Sequence, residues 1–351
     1  MGDLMWVKVL LIVGVLIILN SQAQSFPTNL ESSISNYNSI SKHNLNIFEL
    51  GDYKVTNSPI NVRKRRYSAP EPLIIVSPIQ EGFYPVLLFL HGTLTSNEAY
   101  SELFYHIASH GYIVVAPQLF SKFNFPSQQA EIDMAATVAN WIPSNLNKVL
   151  QDRISQTVQA NFKKLAVSGH SRGGKSAFAL ALNYTKTTKL TTHISALIGL
   201  DPVAGKSKNQ RFEPYILTYE PNSFDISIPV TIIGTGLGNI TRLFIPCAPN
   251  EVSHQQFYDE SKKASHFIVL EYGHMEMLND RFFDLSWIMC KTGDGPRSVM
   301  RRTVGGIMVG FLDAYFRGDG EEYFELLDHP SLAPTSLFVE KKGYSGFVSN
   351  F

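Results

Sequence analysis

The feature that most constrains this chain is the stretch 167–174, which contains a Gly-x-Ser-x-Gly motif centred on Ser171. An apolar run at 165–167 precedes the motif, and helix-forming residues follow it at 175–182. This order predicts a strand, a sharp turn and a helix, with small glycines where strand and helix pass close together. Such a nucleophile elbow presents a serine hydroxyl for attack on a substrate. The alternative is a glycine-rich turn that matches the motif by chance.

The rest of the chain alternates apolar, strand-like runs with helix-like segments. Strands are predicted at 53–62, 73–78, 84–90, 112–116, 193–200, 228–233 and 267–271. Helices are predicted at 99–110, 128–150 and 297–316, and Pro143 is expected to break the second of them. This alternation implies right-handed crossovers and a mostly parallel sheet. Together with the elbow, it predicts an α/β-hydrolase fold, a single domain over 45–351 with a central sheet flanked by helices.

The first 44 residues form a separate part of the sequence. Lys8 precedes an apolar run at 9–19, and Ser-Gln-Ala at 21–23 is a small-x-small cleavage pattern. We interpret 1–23 as a secretory signal peptide and 24–44 as a flexible leader. If the apolar residues before Lys8 are counted, an uncleaved membrane anchor is the alternative. The expected location is the secretory pathway, because a plastid transit peptide would be rich in Arg and less continuously apolar.

The charge balance argues against nucleic acid as a partner. Lys plus Arg and Asp plus Glu number 30 each, so the surplus of positive charge that phosphate binding needs is missing. An uncharged ligand fits this balance better. The sequence also contains no glycine-rich phosphate loop, zinc motif or calcium loop, which predicts a reaction that needs no cofactor or metal.

A serine hydroxyl needs a base to take its proton and an acid to orient that base. In the α/β-hydrolase order both follow the serine, so the search is limited to residues after Ser171. Asp201 is the candidate acid, because it closes the apolar run 196–200 and Pro202 stops the strand there. Asp225 is the second choice, although it precedes its strand and would lie at the wrong end. The alternative for Asp201 is a simple Asp-Pro turn.

Three late histidines are candidates for the base. His274 follows the predicted strand 267–271 and lies in a loop after Gly273, where the base is expected. His266 begins that strand and would lie at the opposite end of the sheet. His254 opens a helix-like segment, and we expect it to be a neighbour of a helix cap or a surface residue. We therefore predict His274 as the base; the alternative is a histidine that only packs in its loop.

The negative oxygen formed during attack on an ester needs an oxyanion hole of N–H donors. The backbone N–H of Arg172, directly after the serine, is the first predicted donor, at the positive end of the following helix. The second donor is expected from the loop after the strand 84–90. Thr93 and Leu94 occupy that loop, and we predict the N–H of one of them as the second donor.

The sequence does not determine the chemical states of two cysteines and two glycosylation sequons. Cys247 and Cys290 show no metal-site spacing, and in a secreted chain they form either one disulfide or two buried free thiols. Asn183 and Asn239 each begin an Asn-x-Thr sequon and are candidate glycosylation acceptors. The motif is short and can also be silent.

Several longer stretches resemble the plant chlorophyllases. They are Gly-His-Ser-Arg-Gly-Gly-Lys at 169–175, Phe-Ala-Leu-Ala-Leu at 178–182, Leu-Asp-Pro-Val at 200–203, Ile-Leu-Thr-Tyr at 216–219, Gly-Thr-Gly-Leu-Gly at 234–238, Pro-Cys-Ala-Pro at 246–249 and Tyr-Gly-His-Met at 272–275. The resemblance spans roughly 45–320. It implies hydrolysis of the phytyl ester of chlorophyll to chlorophyllide and phytol, with Ser171, Asp201 and His274 as the triad. The secretory-type leader departs from the plastid location that this substrate implies.

The expected partner is therefore a small hydrophobic substrate, chlorophyll or a related phytyl ester, with peripheral membrane contact and no nucleic acid. The segment 206–224, which begins with polar residues, is a candidate lid or wall for this substrate. Two other functions stay open from the sequence. One is a lipase-, cutinase- or acetylhydrolase-like esterase acting on other lipid esters, and the other is a hydrolase-fold ligand receptor with a vestigial triad.

Overall fold

The computed structural model describes residues 45–60, 67, 69–121, 125–280 and 286–343. The predicted signal peptide and leader lie outside the described residues. All described residues belong to one compact unit. Among them, no helix is both long and apolar enough to cross a membrane.

A nine-stranded sheet forms the centre of the described structure. With strands numbered in chain order, its spatial order is β1 (Val55–Ile60), β2 (Leu73–Pro78), β4 (Ile113–Pro117), β3 (Gly82–Leu90), β5 (Val158–His170), β6 (Ala196–Leu200), β9 (Val230–Thr235), β10 (Ala264–Val269) and β11 (Leu337–Lys342). The six strands from β4 to β10 in this order are parallel. β2 and β11 pair antiparallel with the two outer strands of this group, and β1 pairs antiparallel with β2. A separate hairpin pairs β7 (Gly205–Ser207) with β8 (Gln210–Arg211). The prediction of a mostly parallel sheet is confirmed.

Strand β3 shows why the sheet is covered on both faces. All its residues from Tyr84 to Leu90 are buried. Val86 and Leu88 belong to one core cluster, whereas Leu87 and Phe89 belong to the other. Side chains alternate between the faces of a strand, so a continuous apolar run needs a packed layer on each side.

Helices provide those two layers. They are α1 (Ser101–Ser109), α2 (Gln128–Arg153), α3 (Arg172–Ala181), α4 (His254–Glu260), α5 (Ser286–Met289), α6 (Arg297–Leu312) and α7 (Glu321–Asp328). Apolar residues of α2, α3 and α4 pack in one cluster, and those of α1, α6 and α7 pack in the other. The helix–sheet–helix arrangement confirms the predicted α/β fold.

The parallel strands end together at one edge of the sheet. The C-terminal ends of β3, β5, β6, β9 and β10 all lie there, and we call it the carboxyl edge. In open α/β sheets, ligands bind at this edge. The loops that follow the parallel strands are therefore where residues that contact a ligand are expected.

The predicted helix break at Pro143 is wrong, since α2 continues without interruption to Arg153. A proline inside a helix leaves the carbonyl four residues earlier without its donor, here the carbonyl of Ala139. The hydroxyl of Thr192 donates to that carbonyl at 3.0 Å. The exposed position of Pro143 also gives its ring room on the solvent side.

Several observed elements begin or end at other residues than predicted, and three of these differences have a structural reason or change the kind of element. Strand β5 begins at Val158, well before the apolar run at 165–167, because its polar first half pairs with the start of β3. Helix α6, predicted to extend to residue 316, ends at Leu312 and passes into a π-helical turn, Asp313–Arg317. The segment 206–224, predicted as a loop, begins inside the β7–β8 hairpin.

Candidate active site

Ser171 lies at the apex of the turn between β5 and α3. Its backbone has φ 57° and ψ −121°, a left-handed φ that non-glycine residues rarely adopt. The glycines around it allow the close approach that this turn requires. A Cβ on Gly169 would lie 2.3 Å from the carbonyl oxygen of Gly173, and one on Gly173 would lie 2.2 Å from that of Leu90. The stretch 167–174 thus has the strand–turn–helix geometry of a nucleophile elbow.

The imidazole of His274 lies between Ser171 and Asp201. Its Nε2 is 2.8 Å from Oγ of Ser171, and its Nδ1 is 2.7 Å from Oδ2 of Asp201. These contacts join residues from the loops after β5, β6 and β10 at the carboxyl edge. All three residues are buried or nearly so, so little water competes for the hydrogen bonds. The arrangement suits transfer of the serine proton to the imidazole.

Asp201 is held in its ionised form. Burial alone would raise the pKa of its carboxyl, but hydrogen bonds from His274 and from the hydroxyl of Thr235, which lies 2.6 Å from Oδ2, lower the pKa below its usual value. An ionised Asp201 accepts the proton of Nδ1, and this fixes the tautomer of His274. Nε2 is then left as the acceptor that faces Ser171.

The second-choice acid and one rejected base lie elsewhere. The Asp225 side chain is 98% exposed and forms an ion pair with Lys262 at 2.9 Å. His266 lies within β10, where its Nδ1 is 2.8 Å from Oε1 of Glu340. Neither residue contacts Ser171 or His274.

His254 is the neighbour of a helix cap, as one of the two expectations had it, because it directly follows Ser253, the N-cap of α4. The other expectation, a surface position for His254, is wrong. Its ring is buried, and its Nδ1 lies 2.8 Å from Nε2 of His266. Gly234 in β9 makes the space, since a Cβ there would lie 2.3 Å from Cγ of His254. Burial lowers the pKa of His254 to about 4, although the charge of Asp201 opposes the shift. The imidazole is therefore neutral near pH 7.

The predicted oxyanion donors lie in the loops after β5 and β3, and a Cβ on Gly92, next to Thr93, would lie 3.2 Å from Cβ of Ser171. Arg172 is the first residue of α3, so its N–H has no acceptor within the helix. Leu94 has a left-handed φ of 61°, and both Thr93 and Leu94 are exposed in the loop after β3. His91 supports this loop: its Nδ1 lies 2.9 Å from the carbonyl oxygen of Gly92 and its Nε2 accepts from the next loop along the edge.

A buried network that sequence reasoning missed connects the serine, base and oxyanion loops. His170, the residue before the serine, places Nε2 at 2.8 Å from the carbonyl oxygen of His274. Its Nδ1 is 2.8 Å from the hydroxyl of Tyr100, which accepts the N–H of Gly92 at 3.1 Å. Burial lowers the pKa of His170 to about 3. The partners lie 70 and 104 positions away along the chain, so no local pattern reveals them.

Buried charges anchor the helix that follows the elbow. The guanidinium of Arg172 and the hydroxyl of Ser176 both donate to the carboxylate of Glu131 in α2, at 2.5 and 2.7 Å. The ammonium of Lys175 donates to the carbonyl of Phe212, just beyond β8. Burial lowers the pKa of Lys175 to about 7. These contacts fix α3 against α2 and against the start of the segment 206–224.

Cys247 and Cys290 form a disulfide, which decides between the two states that the sequence left open. The bond joins the loop after β9 to the chain beyond His274. Within the described ranges, no group of three His, Cys, Asp or Glu side chains is arranged to hold a metal ion.

Comparisons with known proteins agree on one family. The family model for chlorophyllase matches residues 43–343. The chain is 57% identical to a protein named chlorophyllase type 0 from Chenopodium album, over 97% of this chain and 98% of that protein. It is 47% identical to a Citrus unshiu protein named chlorophyllase-1, chloroplastic, over 76% and 79% of the two chains. It is 43% identical to chlorophyllase-1 of Arabidopsis thaliana, over 83% and 90%. The chain therefore belongs to the chlorophyllase family.

Proposed function

We propose that this chain is a serine esterase that hydrolyses the phytyl ester of chlorophyll to chlorophyllide and phytol. The observation that carries the proposal is the hydrogen-bonded series of Ser171, His274 and Asp201, in a chain of the chlorophyllase family. The same geometry argues for an active hydrolase rather than a receptor with a vestigial triad.

The first half-reaction transfers the acyl group to the enzyme. Nε2 of His274 takes the proton of Ser171 while the serine oxygen bonds to the ester carbonyl carbon. The electron pair of the carbonyl moves onto its oxygen, which accepts the N–H of Arg172 and that of Thr93 or Leu94. The tetrahedral intermediate then breaks its bond to the phytyl oxygen. That oxygen takes the proton from His274, and phytol leaves.

The second half-reaction releases chlorophyllide. His274 takes a proton from a water molecule, whose oxygen attacks the acyl carbon. The bond to Ser171 breaks, the serine recovers its proton from His274, and the carboxylic acid leaves. Asp201 stays ionised and stabilises the imidazolium that forms in both halves. This sequence needs no cofactor.

We assign the catalytic domain to 45–351, and we assign one wall of the substrate site to 206–224. The contact of Lys175 with Phe212, at 2.5 Å, supports the second assignment, because it ties this segment to the elbow helix. For location we propose the secretory pathway, on the signal-peptide pattern of 1–23. Two Citrus relatives are named chloroplastic, so import into plastids is the competing result in a fluorescent-fusion experiment.

The function is tested with Ser171→Ala and a matched serine. Purified protein is incubated with detergent-dispersed chlorophyll, and the pigment that moves into the aqueous phase is measured. We expect Ser171→Ala to abolish this release. Ser168→Ala is the control, because the Ser168 hydroxyl is buried without a hydrogen-bond partner among the described residues and its loss should leave the rate unchanged. Wild-type protein that cleaves a short nitrophenyl ester but not chlorophyll would indicate another lipid ester as substrate.

A further inference from the structure

A run of exposed apolar side chains lies in the loop after β9, at residues 240–245, which we call the apolar loop. Phe244 is 67% exposed, the largest fraction among the described large apolar residues. Ile240, Leu243 and Ile245 are also exposed, each by more than two fifths. Single exposed apolar residues are normal on a protein surface, but a contiguous group marks a surface that contacts another apolar phase.

The apolar loop is fixed rather than loosely attached. The N–H of Ala248 donates to the carbonyl of Gly238 at 2.8 Å and closes the base of the loop. The disulfide between Cys247 and Cys290 holds its C-terminal end, and Thr241 forms an antiparallel bridge with Cys290. The closed and cross-linked base fixes the positions at which the loop leaves and rejoins the rest of the protein.

The base of the loop is also joined to the catalytic residues. The N–H of Leu237 donates to the carbonyl of Tyr272, two residues before His274. A Cβ on Gly238 would lie 3.2 Å from Oδ2 of Asp201. A phase that contacts the apolar loop is thus held at a set orientation relative to the triad.

Two further exposed apolar residues lie near the serine. Leu94, in the oxyanion loop, and Phe125 are each about two fifths exposed. The ring of Phe125 packs on Phe120, over which the guanidinium of Arg172 lies at 5.2 Å. Exposed apolar side chains therefore occur in the loops after β3, β4 and β9, all of which leave the sheet at its carboxyl edge.

The charges at the apolar loop favour a lipid surface. Residues 238–248 contain one charged side chain, Arg242, and no carboxylate. Lys291 is exposed next to the disulfide, and the nearest exposed acids in sequence are Glu251 and Asp294. An apolar tip in a loop without carboxylates, with the exposed Lys291 next to its disulfide, matches a bilayer, whose acyl region accepts the tip.

We propose that the apolar loop inserts into the surface of a lipid bilayer and places the catalytic serine at the membrane, where a lipid-soluble ester resides. This inference rests on the proposed function for its substrate, but the docking itself is measured without chlorophyll. Leu243 and Phe244, which are 47% and 67% exposed, form the inserted tip.

The test uses phosphatidylcholine vesicles, with and without phosphatidylglycerol, and the full chain. We expect the wild-type protein to sediment with both kinds and more strongly with the anionic ones. The double variant L243S/F244S should lower the partition coefficient by about 30-fold or more, because two large apolar side chains no longer enter the lipid. Phe83→Ser is the matched control. Phe83 is 61% exposed but lies at the start of β3, on the opposite edge of the sheet, and its loss should leave partition unchanged.

A second variant reports insertion directly. The emission of Phe244→Trp should be quenched by lipids brominated on their acyl chains, whereas that of Phe83→Trp should not. The proposal is overturned if L243S/F244S binds vesicles as tightly as the wild type, if Phe83→Ser weakens binding equally, or if the wild type forms dimers through the loop and binds no vesicles.

Hydrolysis of detergent-dispersed chlorophyll distinguishes a failure of membrane docking from a failure of the proposed esterase activity. L243S/F244S should retain that hydrolysis, because detergent delivers the ester without a bilayer. A wild-type protein that binds vesicles through the apolar loop but never releases chlorophyllide would refute the proposed substrate and leave the docking intact.

Discussion

Replacing Tyr100 by Phe tests whether the buried hydrogen bonds beside the active site position its groups, because the substitution leaves Ser171, His274 and Asp201 unchanged. The neutral imidazole of His170 donates its Nε2 proton to the carbonyl of His274, so its Nδ1 accepts the Tyr100 hydroxyl at 2.8 Å. The same hydroxyl oxygen accepts the N–H of Gly92 at 3.1 Å. Tyr100→Phe therefore keeps the ring packing but leaves one buried acceptor and one buried donor without partners.

The loss of stability follows from the two unpaired groups, Nδ1 of His170 and the N–H of Gly92. An unsatisfied buried polar group costs about 1–3 kcal/mol, so the free energy of unfolding should fall by about 2–6 kcal/mol. Because Gly92 precedes the predicted oxyanion donors Thr93 and Leu94, the loop loses one of its anchors, the hydrogen bond of the Gly92 N–H. We expect kcat for a short soluble ester to fall by about 10- to 100-fold, less than the loss of a whole oxyanion donor, while KM changes little.

Urea unfolding and steady-state kinetics measure the two effects, with Tyr112→Phe as the control. Tyr112 is also fully buried and donates to Asp313, at the opposite edge of the sheet. Its variant should lose stability while kcat stays at the wild-type value. If Tyr100→Phe lowers kcat no more than Tyr112→Phe does, the hydroxyl does not position the site and our reasoning is wrong.

Three further predictions concern stability. Replacing both Cys247 and Cys290 by Ser should lower the free energy of unfolding by about 4 kcal/mol in non-reducing urea titrations, because the bond closes a loop with a sequence separation of 43; an unchanged midpoint would contradict this. Burial lowers the pKa of Lys175 to about 7 from 10.5, so only the unfolded chain binds this proton between those values, and stability should rise with pH there. Lys175→Met should reduce that rise, and an equal slope in both proteins would count against it. Burial also lowers the pKa of four histidines to about 3 or 4, so between pH 6.5 and these values only the unfolded chain binds their protons. Each histidine should therefore lower the free energy of unfolding by about 1.4 kcal/mol per pH unit as the pH falls from 6.5 towards 4; equal urea midpoints at pH 7 and pH 5 would refute this. These four are His91, His106, His170 and His254.

Most predictions about the site residues followed from chain order and sheet topology. A parallel sheet brings all its carboxyl ends to one edge, so candidates could be ranked by whether they follow or precede a strand. Asp201 and His274 follow strands, and both lie within hydrogen-bond distance of their neighbours in the series from Ser171. Asp225 and His266 do not follow strands, and neither contacts that series.

The sequence alone does not reveal contacts between elements that are distant along the chain. The burial of His254 depends on the missing side chain of Gly234, and the continuity of α2 past Pro143 depends on the hydroxyl of Thr192. Local patterns describe a residue and its neighbours, but not the group that approaches from another strand or loop. For the same reason the pairing of the cysteines stayed open until the fold was known.

The most direct test of the central claim is to identify the side chain that an active-site reagent modifies. The protein is treated with a fluorophosphonate, which bonds to an activated serine oxygen and loses fluoride, and the labelled peptide is sequenced by mass spectrometry. We predict a single label on Ser171 and none on Ser171→Ala, with labelling strongly slowed in a His274→Ala variant. A label on another serine, or equal labelling of the Ser171→Ala protein, would contradict the claim that Ser171 is the nucleophile.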